Sequence, residues 1–331
     1  MARRPLLLAV VAVATFGVVF VAAGLDGWGP PAANESEIGE ISRWCERVSA
    51  GLLREPVNTL GNLGFVIAGL AMFTVLSRDT VRGRPAPNPF IANTPVAILY
   101  ASATLFLGPG SMAMHGTHTP FGAWLDNVSM VAFILIPWLH NVAVMGRWRP
   151  RTFFVAYTSV LVAYGTGYWF AGSDLGIGLD LFGLSIGLWV VSEVVFRFWS
   201  PTVRVLSGAV GFGVALAFGV TPAEVGSNLD RYWWVILFWL PGLLATSPAP
   251  VRRRYLPWFW TGMASFFVAY TIWLTGTAEH PRCDPDSLLQ RHAIWHLLSA
   301  VAAFSFFWFL RTGRPVHSAS SSSTVSGSVP S

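Results

Sequence analysis

Gln290-Arg-His-Ala-Ile-Trp-His296 opens the last long apolar run of the chain, and the reading of this stretch decides the rest. On a helix His292 and His296 lie four residues apart, so both imidazoles leave the same face, one turn above the other. Two side chains of one helix share a metal ion at that spacing. The run behind them, 292–310, has the length of a membrane crossing. A histidine pair at the mouth of such a helix calls for a third ligand from another helix. The candidate is His115, in Gly110-Ser-Met-Ala-Met-His115, at the end of an earlier apolar run.

Outward from this pair, the chain reads as a polytopic, all-α transmembrane bundle. Of its 331 residues 53% are hydrophobic and 11% charged, against roughly 25% charged in a soluble domain. Apolar runs recur at 6–24, 56–76, 93–115, 123–145, 152–171, 178–197, 205–220, 232–247, 256–275 and 292–310, about ten spans in all. The runs 205–220 and 232–247 are short enough to lie in the interface instead. The net charge of +5 does not indicate nucleic acid, because the arginines sit in short loops between spans, where they set orientation.

Four regions follow. Residues 1–24 form a first span or signal anchor behind Arg3 and Arg4, and 25–54 form a polar, acidic extracytoplasmic segment. Residues 55–311 hold the bundle, and 312–331 form a Ser-rich cytoplasmic tail expected to be disordered. A cleaved signal peptide is the alternative for the first run, whose length favours a retained span. With both termini cytoplasmic, the arginines of 78–84, 147–151, 197–204 and 252–254 all fall inside. Cys45, Glu46, Glu55, His115, Asp126, Cys283, His292 and His296 then all fall at the outer ends of their spans. The charge rule used none of these residues.

Ser111 and His115 are again four apart, and Asp126 opens the next span after the turn Gly116–Gly122. Three neutral imidazoles leave a tetrahedral zinc ion one open position for water, whose pKa the metal lowers to about 7. Asp126 is placed to take a proton from that water, and Ser111 to donate to a developing oxyanion. Each histidine could instead tie helices together by hydrogen bonding, and Asp126 could serve a proton path. A haem fits poorly, because His292 and His296 share a face. A transporter would be expected to show broken helices and internal repeats, which the sequence lacks. His118 and His280 read as solvated loop residues, His140 as an inner-end residue, and His317 as part of the tail. Glu55, Asn58, Thr59 and Asn62 form a polar stripe that cannot face lipid cheaply and suits bonding to neighbouring helices.

Taken together, Trp44-Cys-Glu46, Glu55-Pro-Val-Asn-Thr-Leu-Gly-Asn62, Gly110-Ser-x3-His115, Asp126 and His292-Ala-Ile-Trp-His296 resemble the alkaline ceramidase family. That family lies within the membrane hydrolases that include the progestin and adipoQ receptors. The resemblance spans 44–311 and implies a seven-helix hydrolase core, here with additional spans. It implies zinc on His115, His292 and His296, with Asp126 and Ser111 as the catalytic pair. The implied reaction is hydrolysis of the amide of ceramide or a similar N-acyl membrane lipid; a receptor-like protein of the same fold with little turnover is the alternative. The family's calcium site is matched at Glu46 and Glu55, but Arg43 and Val48 stand where an acid and an asparagine are expected. The loss of hard oxygen ligands counts against calcium here. The resemblance also supports a disulfide between Cys45 and Cys283, on the side where disulfides persist; the alternative is two free thiols.

Overall fold

The computed structural model describes residues 2–83 and 88–316. The Ser-rich tail beyond Val316, His317 and Arg84 lie outside the described residues. The architecture is all-α, and its helices are α1 (Arg4–Gly24), α2 (Pro56–Gly61), α3 (Leu63–Val81), α4 (Pro95–Thr117), α5 (Pro120–Met145), α6 (Pro150–Ala171) and α7 (Leu181–Phe198). The short helices α8 (Pro201–Leu206), α9 (Gly208–Ala217), α10 (Pro222–Ser227) and α11 (Leu240–Leu244) follow, and α12 (Trp258–Trp273) and α13 (Arg291–Leu310) complete the order.

Proline and small polar residues punctuate the chain. A proline in the first turn of a helix sacrifices no hydrogen bond, because that amide has no intrahelical partner. Thr94 before Pro95, Thr119 before Pro120, Ser200 before Pro201 and Thr221 before Pro222 each add a side-chain oxygen that accepts from the first turn. The turn between α4 and α5 is therefore only His118 and Thr119, tighter than the predicted Gly116–Gly122.

Among the described residues six stretches are long and apolar enough to cross a membrane: α1, α2 with α3, α4, α5, α7 and α13. The chain is a membrane protein on that ground. With α2 and α3 taken as one bent helix, and with α6 and α12, the long helices after α1 number seven. The predicted spans at 205–220 and 232–247 do not form as single helices. The first divides into α8 and α9, and the second is a 3-10 turn, Trp233–Trp239, followed by α11. In the second run several aromatic rings pack sideways against the first. Gly208 and Gly211 of α9 leave just enough room for the rings of Trp239 and Phe238, so these pieces fold back on one another beside α7.

Helix α13 packs against α12 on one side and against α2 and α3 on the other. The close approach depends on Gly61, where a Cβ would come within 2.9 Å of the Ala293 backbone. At the far end, residues 312–316 are tied down rather than free: Val251–Arg252 and Arg314–Pro315 pair antiparallel. The predicted tail thus begins later than 312.

Candidate metal centre

His115 sits in the last turn of α4, and His292 and His296 in the first two turns of α13. All three are buried, at 1%, 4% and 6% exposure. The Nε2 atom of His115 lies 3.2 Å from His292 Nε2 and 3.3 Å from His296 Nε2. Two nitrogens bound to one zinc ion, each about 2.0–2.1 Å from it at tetrahedral angles, lie roughly 3.3 Å apart. Among the described residues these histidines form a group whose ligand atoms all lie within 4.8 Å of one another. Neutral imidazole nitrogens suit zinc among the common ions.

Glu55, in the turn that leads into α2, holds this arrangement from behind. Its Oε2 accepts from His115 Nδ1 at 2.9 Å and from Asn58 Nδ2 at 2.7 Å, while Oε1 meets His118 Nε2 at 2.7 Å. A proton on Nδ1 of His115 leaves the lone pair on Nε2, pointing toward the other two rings. Metal-ligating histidines are fixed in this way by a carboxylate. The backbone repeats the link, since the Glu55 amide donates to the His115 carbonyl.

This geometry corrects one expectation. His118 is not solvated: it is 1% exposed and braces the same carboxylate that orients His115. Nor do Glu46 and Glu55 offer a calcium ion free oxygens. The two Glu46 oxygens accept the Val57 and Asn58 amides at the start of α2, and both Glu55 oxygens face imidazoles. The donor set does not fit calcium. Burial pushes the Glu46 carboxyl up, against the pull of those two amides.

Ser111 lies one turn before His115, buried, and its Oγ has no hydrogen-bond partner. Asp126, in the second turn of α5, is half-buried and lies next to Ser111 and within electrostatic reach of His115. The stripe of Asn58, Thr59 and Asn62 is fully buried and bonds within its own helix, to Glu55 and to Asn58. His140 sits between the rings of Phe90 and Phe153, away from the centre, as expected. His280 lies in the loop before α13, where its Nδ1 accepts the Arg282 amide.

Cys45 and Cys283 are joined in a disulfide that pins segment 25–54 to the loop before α13. Arg47 reinforces it with a bidentate pair to Asp286, at 2.8 and 2.9 Å. The pinned segment delivers two residues that sequence reasoning missed. Trp44 stacks on the His292 ring at 4.2 Å, and Arg43 lies over Trp44 while paired with Glu35. The adjacency of Trp44 to Cys45 was the available signal, since a bridge to residue 283 brings its neighbours toward residue 292.

A family model described as Ceramidase matches residues 41–325, a stretch that contains every residue of the metal centre. No curated protein matches the chain.

Proposed function

The chain belongs to the ceramidase family, and on that premise we propose that it is a zinc-dependent amidase cleaving ceramide or a similar N-acyl lipid within the membrane. The convergence of three imidazole nitrogens at 3.2 and 3.3 Å on one buried point carries the reading. Zinc bound there would supply a Lewis acid and lower the pKa of water. His115, His292 and His296 hold the ion, and Glu55 keeps His115 in the required tautomer, itself braced by His118. The Asp126 carboxylate takes the proton of the attacking water and passes it to the leaving nitrogen. The Ser111 hydroxyl, free of other partners, donates to the amide oxygen as charge builds on it. Trp44 and the disulfide close the outer end, which we place on the extracytoplasmic side with both termini in the cytoplasm.

The deciding measurement is metal content of the purified protein together with fatty acid release from ceramide. Wild type should hold one zinc per chain and release fatty acid, whereas His115→Ala should lose both. Wild type without zinc, or full turnover in His115→Ala, would reject the proposal.

A further inference from the structure

Helix α1 packs against α3 and α4, with Ala9 buried in the core, and is otherwise largely exposed along its length. At the outer end Phe20 packs over Gly116 of α4 and against Trp28. At the inner end Asn93 Nδ2 donates to the Ala2 carbonyl at 2.7 Å. Between these fixings lies a cavity of about 880 Å³, walled by Leu8, Ala12 and Phe16 of α1 and by Ser102, Leu105 and Phe106 of α4. Small side chains at 12 and 102 leave the gap unfilled. On helical spacing Ser102, Leu105 and Phe106 lie on the side of α4 opposite Ser111 and His115, so the cavity is separate from the metal centre. It also rests on α1, which the family match at 41–325 does not include.

A gap of this size costs every lining atom its contacts unless something occupies it. Water does not suit, since each molecule needs two to four polar partners and the walls are almost wholly apolar. An alkyl chain satisfies both conditions. Apart from Ser102 on the α4 wall, the polar groups gather at the inner end, where Arg4, Thr80 and Asn93 line the cavity and Asn93 Oδ1 is buried without a partner. We propose that α1 and α4 hold a glycerophospholipid, with one acyl chain in the cavity and its phosphate at Arg4. A headgroup N–H or O–H then donates to Asn93 Oδ1. The inference does not depend on the hydrolase reading.

The test is native mass spectrometry of the full-length protein after detergent exchange, with zinc content as the measure of an intact fold. Wild type should retain a phospholipid. Ala12→Trp, which fills the cavity from α1, should lose it while keeping zinc. Val18→Trp, on the exposed face of α1, should retain it. If Ala12→Trp fails to fold, Ser102→Phe fills the same space from α4 and should give the same loss. Arg4→Gln should retain the acyl chain but weaken preference for phosphate-bearing lipids. Equal phospholipid in wild type and the filled variants would overturn the proposal. So would equal loss in Val18→Trp, which would mean an unselective lipid shell, or a cavity emptied only by dissociation of a second copy of this chain.

Discussion

The two ends of the bundle both bury charge, and they bury it differently. At the end that holds Arg253, Glu193 is fully satisfied: Oε2 accepts from Asn141 at 2.8 Å and from Arg253 at 2.9 Å, and Oε1 accepts from Tyr255 at 2.7 Å. Arg253 also lies over the Phe196 ring at 3.9 Å, and nearby Arg311 pairs with Asp79. At the histidine end Glu55 is equally buried and equally bonded, but the buried groups beyond it are not all bonded. Three imidazole nitrogens converge on one another, and Ser111 Oγ and His292 Nδ1 have no partner. A closed network of buried polar groups joins helices. An open one keeps lone pairs and a hydroxyl for something that binds. The contrast sets the histidine end, with its three facing imidazoles, apart from the Glu193 network.

The contrast can be broken by substitution at either end. Asp126→Asn should lower ceramide hydrolysis about 10²–10⁴-fold while zinc stays bound, as expected for a lost proton acceptor. If that variant binds N-acyl lipid normally and wild type also fails to turn it over, the chain is a binding protein of this fold instead. Arg253→Met leaves Glu193 buried and unpaired, which should cost about 3–5 kcal/mol of stability, with zinc affinity unchanged in the surviving folded fraction. Coupled loss of zinc would show that the two ends are one cooperative unit.

Smaller effects sharpen the picture. Glu55→Gln should weaken zinc binding about 10–100-fold through loss of the carboxylate behind His115. His118→Ala should act in the same direction and less, and His118→Gln should recover part of the loss by restoring a donor to Glu55. Weakest of all is the exposed Arg47–Asp286 pair beside the disulfide. Hydrogen bonding to Arg47 holds the Asp286 carboxyl below its ordinary value. Its contribution is present above the ordinary carboxylate pKa of about 3.9 and is lost as pH falls through the lower folded value. The melting difference between wild type and Asp286→Asn should therefore be small at neutral pH and vanish on acidification.

Much of this was legible in order along the chain. The i, i+4 spacing of His292 and His296, and of Ser111 and His115, places each pair on one helix face before any packing is known. Arginine placement sorted the loops and brought His115 and the 292–296 pair to one end. Hydropathy failed at 205–247, because it counts apolar surface without its direction, and the rings of Phe238 and Trp239 point into α9 rather than along a span. His118 was misread for a related reason. It follows the last helical residue in a short turn that reads as solvent-facing, yet the backbone there is left-handed, and the ring reaches the Glu55 carboxylate.

By itself the sequence determined that this chain lives in a membrane as helices, that a histidine triad was available, and which residues could serve it. Those properties follow from local periodicity and composition, which survive any arrangement of the helices. Tertiary structure alone decided that Glu55 bonds to two imidazoles, that Trp44 lies on His292, and that a gap is left between α1 and α4. Such choices depend on helix approach distances set by single residues such as Gly61 against Ala293, and no pattern along one strand of sequence encodes a distance between two helices.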